Sequence, residues 1–270
     1  MFGDILHYIA KTERSLRDRL IHNKYLRTSY PDEIKKVKNT AIRNRCFIVG
    51  NGPSLKKDDL AKLADEDCFA CNRIYGLYEN IDWRPKYYCS QDYKLLAQIT
   101  GDLSYAIDNC SFAFFPWNHR KLFSSVVDHK KVFLFFRPYV SVYSKDGKYH
   151  DGLIPFSDDI SNGIYDGLSV TYAMIQIAVY MGYTEIYLLG IDHNYPMKNG
   201  KVDVTLSYAE GIKPIDMSNQ YPPELTLCEV AYKEARKYCE AHGIRIMNAT
   251  RGGKLEVFDR IDLDDLLEGR

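Results

Sequence analysis

The sequence predicts an α/β protein with a Rossmann-like, mostly parallel sheet of about seven strands, helices on both faces and a small lid, preceded by an amino-terminal helical extension. Three observations carry this. Residues 46–49 are an apolar run that ends in Gly50, and Gly52-Pro53 breaks the extended chain before a polar, helix-compatible segment opens at Ser54. Short apolar runs recur at 68–71 and 86–89, each followed by polar residues, Asn72-Arg73 and Ser90-Gln91-Asp92. Later, a helical pattern over 168–181 passes through Gly182 into a strand pattern over 184–189 that stops at G-I-D-H-N-Y-P.

Residues 1–40 read as a separate extension. Ile5, Leu6, Ile9, Leu16, Leu20 and Ile21 recur at helical spacing among Lys11, Arg14, Arg17 and Arg19. Such a basic amphipathic face is suited to packing on the main domain, to another subunit in a homo-oligomer, or to peripheral contact of residues 1–25 with an anionic membrane; packing is the plainer reading. Tyr30-Pro31 interrupts the pattern. The main domain spans 41–270. In it, 56–64 and 93–108 read as helices and 111–115 and 132–136 as strands, with Trp117-Asn118-His119-Arg120 in a loop between the two strands. Residues 168–181 form a buried helix through Val170, Ala173, Met174, Ile177, Ala178 and Met181. Residues 224–242 form an amphipathic helix ended by Gly243, and 244–247 the last strand. Segments 137–162 and 197–223 lack a sustained period, are rich in Tyr, Gly and Asp, and are the predicted lid.

In an open parallel sheet the strand carboxyl ends share one rim, so Asn51, Asn72-Arg73, Gln91-Asp92 and Asp192-His193 predict one polar site. Exposed N–H groups at the glycine turn and the following helix start favour an anion there, which makes a phosphate-bearing ligand the first expectation. The stretch is neither G-x-G-x-x-G nor a Walker sequence, so neither NAD nor ATP is implied.

Composition narrows the classes. A chain of 270 residues, 46% hydrophobic and 27% charged, can bury a substantial core. Its 36 basic and 36 acidic residues cancel, yet residues 1–45 hold 11 basic against 5 acidic ones, which leaves the remainder acidic and argues against a nucleic-acid partner. Most of the seven cysteines fall in or beside strand patterns, as reduced, buried thiols do. Cys68 and Cys71 make a C-x-x-C that continues a strand and has no second pair to complete a metal site. With neither a signal-peptide pattern nor an apolar run of about 18 residues, a cytoplasmic location is expected, peripheral to the inner face of the membrane if the extension binds it.

At G-N-G-P-S-L, C-N-R and G-Y-T-E-I-Y-L-L-G-I-D the chain resembles bacterial α-2,3/2,8 sialyltransferases of lipooligosaccharide synthesis (glycosyltransferase family 42). It resembles equally the wider superfamily that includes archaeal 6-hydroxymethylpterin pyrophosphokinase (MptE-like) enzymes. The resemblance covers roughly 45–92 and 160–250. It implies a Rossmann-like nucleotide-sugar-binding domain with a lid, a CMP-sugar donor, a glycan acceptor and no obligatory metal. By position it implies that Asn51, Gly52, Pro53 and Ser54 line the nucleotide, that Asn72 sits beside the donor phosphate, and that Gln91 or Asp92 contacts the donor. Where the family has Thr-Ser-Gly, this chain has Ser169-Val170-Thr171, whose Ser169 and Thr171 hydroxyls would hold the nucleotide. The family's general-base histidine lies after G-I-D, and residues 194–223 contain none, which leaves His193, His150 or a carboxylate.

Transfer of a sugar needs a base for the acceptor hydroxyl and donors for the leaving phosphate. His193 suits the first task, Asp192 would orient it or hold a sugar hydroxyl, and Tyr195 would donate to the phosphate, each with a plain structural role as the alternative. Three functions stand at this point: the sialyltransferase-like glycosyltransferase, a pyrophosphokinase-like phosphoryl transfer with Mg²⁺ on Asp92, Asp166 and Asp192, and a non-catalytic partner protein of the same fold.

Overall fold

In this computed structural model residues 2–140, 149–213, 216 and 224–268 are described, with side chains from residue 13 onward. The predicted lid segments therefore lie partly outside the described residues, as do the side chains of Ile5, Leu6, Ile9 and Lys11. The elements in chain order are α1 (Phe2–Leu26), α2 (Tyr30–Lys35), β1 (Arg45–Val49), α3 (Lys57–Lys62), β2 (Cys68–Cys71), β3 (Tyr87–Cys89), α4 (Tyr93–Ile99), α5 (Leu103–Asp108), β4 (Phe112–Pro116), β5 (Val132–Phe135), α6 (Val170–Met181), β6 (Glu185–Leu189), the hairpin β7 (Met197–Lys198) and β8 (Lys201–Val202), α7 (Leu225–Ala241), β9 (Arg245–Asn248) and α8 (Leu263–Glu268).

Seven strands form one sheet in the order β5-β4-β3-β2-β1-β6-β9, every pairing parallel. This is the Rossmann-like architecture expected. Both faces are covered, which is why the strands read as continuous apolar runs rather than alternating ones. Within β1, Cys46 and Ile48 face the cluster built on α6 and α7, while Phe47 and Val49 face the cluster built on α3, α4 and α5. The same two-residue alternation puts Cys68 and Cys71 on opposite faces of the sheet. Burial pushes the Cys71 thiol up to about 12 and that of Cys68 higher still, so neither is a thiolate near neutrality.

The amino-terminal extension joins this core. Tyr25 of α1 and Ile34 of α2 are fully buried, and Tyr25 packs edge-on against Trp117. The first helical run stops at Leu26, before Pro31, and Pro31 instead lies in the first turn of α2, where its missing N–H costs nothing. Leu16 and Leu20 of α1 remain exposed. Among the described residues no helix is long and apolar enough to cross a membrane.

Two further differences from the sequence reading have simple causes. The helix expected over 93–108 is broken by a 3-10 turn at Thr100–Asp102, where Gly101 weakens the α-helix. The short hairpin inside the segment 197–223 turns on Asn199-Gly200, both in the left-handed region, the residue pair that a tight hairpin demands.

The chain leaves β1 outward to β5 and returns through α6 to β6 on the other side of β1, so the sheet reverses direction between β1 and β6. A crevice must open there at the strand carboxyl ends. Fully buried Gln176 on α6 ties the returning chain down: its Oε1 accepts from Ser157 N and Tyr165 N, each at 3.1 Å, and its Nε2 donates to Tyr165 O at 2.9 Å. Gln176→Leu leaves these backbone groups unpaired, and a loss of about 3 kcal/mol is expected in urea unfolding; a wild-type midpoint would show that segment 155–165 is held by other contacts.

Candidate active site in the crevice between β1 and β6

The crevice is a cleft of about 520 Å³, walled by the ends of β1, β2 and β6, the start of α6 and one face of α7. Ten of the candidates line it, Asn51, Gly52, Asn72, Gln91, Asp92, Ser169, Thr171, Asp192, His193 and Tyr195, while Pro53 and Ser54 stand behind it. His150 is exposed and is not among the lining residues.

The glycine turn works differently from the expectation. Gly50 N donates to Leu189 O at 2.8 Å and Gly52 N to Gly190 O at 2.9 Å, so these N–H groups are engaged by the end of β6 rather than presented to a ligand. A Cβ on Gly50 would collide with the Gly190 carbonyl, and one on Gly52 with the Asp192 carboxylate. The glycines are there for close approach of two strand ends. Pro53 breaks the extended chain, and Ser54 Oγ donates to Asp192 Oδ2 at 2.7 Å, which latches the turn. Asp192 is thus held by Ser54, while its own carbonyl accepts from Lys254 N at 2.8 Å. Burial raises its pKa and Ser54 opposes that rise.

What the cleft presents instead is the start of α6. Leu168 to Thr171 line the cleft at the amino end of a twelve-residue helix, where the helix dipole favours an anion even though Ser169 N, Thr171 N and Tyr172 N are already bonded within the protein. Ser169 is the N-cap, accepting from Thr171 N at 3.3 Å, and its hydroxyl also bonds Tyr232 OH of α7 at 2.8 Å. Gly167 and Leu168 both adopt positive φ to bring the chain into this cap, a costly conformation for a leucine.

Amides ring the other side. Asn51 Nδ2 donates to Cys71 O at 3.1 Å, and Gln91 Nε2 donates to Asp166 Oδ1 at 2.8 Å and Asp166 O at 3.2 Å. Because all these partners are acceptors, the orientation of both amides is settled: each must offer its nitrogen to the protein. That leaves Asn51 Oδ1 and Gln91 Oε1 buried and without a hydrogen bond. Asn72 sits at φ +55 at the end of β2, with its Oδ1 accepting from Ser90 Oγ at 3.0 Å.

The acidic residues are occupied. Asp92 caps α4 through Leu95 N at 2.7 Å, and Asp166 pairs with Arg137 at 2.8 Å as well as with Gln91. Among the described residues no group of three His, Cys, Asp or Glu side chains is arranged to hold a metal ion. Asp92, Asp166 and Asp192 each accept a hydrogen bond from a protein donor and are not gathered into one ligand group among the described residues.

His193 adopts φ +50, and its side chain is only 5% exposed. The imidazole lies 6.0 Å, edge-on, from the ring of Tyr232, and Nε2 is 3.3 Å from Glu229 Oε1. Burial lowers its pKa below the ordinary 6.5, and Glu229 offsets only part of that, so the ring is neutral at pH 7. Tyr195, itself 36% exposed, forms part of the same wall; the groups packed around its phenol push its pKa up, so it stays protonated. Sequence reasoning missed Glu229. The available signal was a carboxylate beside Cys228 and Tyr232 on the otherwise apolar side of α7.

Gly52→Ala is expected to force the Asp192 carboxylate out of place and cost about 1–3 kcal/mol in urea unfolding, whereas Ser54→Ala, which removes one hydrogen bond, costs about 1 kcal/mol. Equal midpoints for Gly52→Ala and wild type would mean that the two strand ends are not in close contact.

Among solved structures, the chain is similar to the MAf glycosyltransferase from Magnetospirillum magneticum AMB-1, with 16% identity, 90% of this chain and 38% of that one covered, and a TM-score of 0.45. This chain thus spans well under half of that protein. It is also similar to the sialyltransferase CstII from Campylobacter jejuni in complex with the substrate analogue CMP-3FNeuAc, with 19% identity, 81% and 86% of the two chains covered, and a TM-score of 0.47. With cytidine-5'-monophosphate bound, CstII gives 17% identity, 80% and 84% coverage and a TM-score of 0.42. None of these likenesses reaches the level at which chemistry carries over. No curated protein matches the sequence. A family model does: the 6-hydroxymethylpterin diphosphokinase MptE-like family matches residues 19–198, two thirds of the chain, and the chain belongs to that family.

Proposed function

We propose that the protein is a glycosyltransferase, sialyltransferase-like in its chemistry, that moves a sugar from a nucleotide donor to a glycan acceptor in surface polysaccharide or lipooligosaccharide synthesis. One observation carries this reading: a single cleft has an anion-favouring helix start on one wall and a buried, neutral histidine on another. Sugar transfer needs both, in one place, for opposite ends of the same step. His193 takes the proton of the acceptor hydroxyl as that oxygen bonds the anomeric carbon, and the bond to the donor phosphate breaks. The charge released on the phosphate is met at the start of α6, where Ser169 and Thr171 stand, with Tyr195 as a further donor. A cleft of about 520 Å³ falls within the range of ~300–1,000 Å³ usual for such ligands. The unpaired oxygens of Asn51 and Gln91 call for a ligand rich in N–H and O–H groups, as a nucleoside and a sugar are.

The CMP-linked donor is the expectation carried by the G-N-G-P-S-L resemblance. The second reading, Mg²⁺-dependent diphosphoryl transfer, has family membership in its favour and the engaged carboxylates against it. Calorimetric titration with CMP, UDP, GDP and ATP, each with and without Mg²⁺, separates the two. Metal-independent CMP binding is expected; ATP binding only with Mg²⁺ would replace the proposal by phosphoryl transfer, and binding of no nucleotide would replace it by a non-catalytic partner role.

Asn72→Ala is expected to weaken donor binding, and His193→Ala to lower turnover by about 10²–10⁴-fold with donor binding retained. Wild-type turnover in the His193 variant would remove it as the base. The sign of the pH dependence follows from its depressed pKa: the base is active when neutral, so the acidic limb of kcat is expected below pH 6.5. A limb above 6.5 would contradict a buried base.

A further inference from the structure

We propose that Glu229 is the positioning residue of this site: it holds His193 as the Nε2–H tautomer, so that Nδ1 is the atom that accepts the proton. The Nε2 atom is fully buried and has no hydrogen bond to any described residue; the carboxylate nearest to it is Glu229, with Oε1 3.3 Å away, close enough for a small rotation of either side chain to complete the bond. A carboxylate only accepts, so a stable contact requires the proton on Nε2. In a neutral imidazole the other nitrogen is then the acceptor. Among the described residues Nδ1 has no hydrogen-bond partner, and it is not among the buried unpaired atoms, so it keeps accessible surface in a residue that lines the cleft.

The surroundings leave this assignment to Glu229 alone. On its own segment, His193 follows Asp192, whose carboxylate is latched to Ser54, and precedes Tyr195. From α7 it meets Glu229, Tyr232 and the neighbouring Cys228. Burial pushes the Tyr195 and Tyr232 phenols up, and the Cys228 thiol up to about 12, so all three are neutral at pH 7. The backbone of His193, at φ +50, lies in a region that few residues adopt, and its ring lies against α7. The unusual backbone on one side and the Glu229 carboxylate on the other bracket the ring. During transfer the proton moves from the acceptor oxygen to Nδ1, the imidazole becomes a cation, and Glu229 stabilises the charge without taking the proton.

The proposal rests on the transferase reading for its purpose, but its test needs no substrate. Long-range ¹H–¹⁵N correlation spectra of the ¹⁵N-labelled full chain read the tautomer and titration of each histidine, and the signals of His193 are those lost in His193→Gln. Wild type is expected to show Nε2–H, with a titration midpoint below 6.5. In Glu229→Gln, where the side-chain oxygen remains but the charge is gone, the midpoint is expected to fall by about one pH unit or more with the tautomer kept. In Glu229→Ala the Nδ1–H form is expected to appear. Glu229 is 42% exposed, so both substitutions leave the core untouched. An Nδ1–H tautomer in wild type, or the same midpoint in Glu229→Gln as in wild type, overturns the proposal. An Nε2–H tautomer in a protein that binds no nucleotide upholds the pair while removing the transferase reading, so the two failures are distinguishable.

Discussion

Two strand ends meet with no side chain between them, and the site is arranged around that meeting. Val49 lies opposite Leu189 in parallel register, so the chains leave β1 and β6 side by side. Gly50 and Gly52 let the first turn press against the Gly190 carbonyl and the Asp192 carboxylate, and Ser54 closes the latch. Next to the latched Asp192, His193 takes a left-handed backbone and lies against α7. A sheet that reverses direction between β1 and β6 provides the crevice; the glycine contact determines what stands in it.

Burial then decides the electrostatics of the cleft. Asp166 and Asp192 are pushed upward, His193 downward, and the neighbouring phenols and thiols upward, so neutrality is favoured wherever no partner intervenes. The carboxylates that remain charged are matched to Arg137, Ser54 or a helix cap. The cleft therefore presents a helix start and neutral side chains rather than a ring of free carboxylates, and its histidine is kept neutral at pH 7 by burial.

Much of this was legible in the sequence because parallel strands covered on both faces must be apolar throughout and must end in polar residues at one rim. The runs at 46–49, 68–71 and 184–189 showed the strands, and Asn51, Asn72, Gln91 and Asp192 showed the rim. The reason for the glycines was not legible: a turn that presents its N–H groups to phosphate and one that presses on a neighbouring strand have the same sequence, and only the position of β6 distinguishes them. Glu229 was hidden for a related reason. A helix residue acquires a partner through the packing of α7 against the β6 loop, and no spacing within the chain links 193 to 229. Asp92 was ambiguous in the same way, since a cap and a ligand contact both place an acidic residue just before a helix.

The central claim is that the start of α6 and His193 act on one ligand. Amide and imidazole chemical-shift mapping of the labelled protein during titration with CMP tests it most directly. The account predicts that perturbations concentrate at 168–172, at Asn72 and Gln91 and at the imidazole of His193. Perturbations confined to another face of the molecule, or a response at α6 with none at His193 even when a CMP-linked sugar replaces CMP, would contradict it.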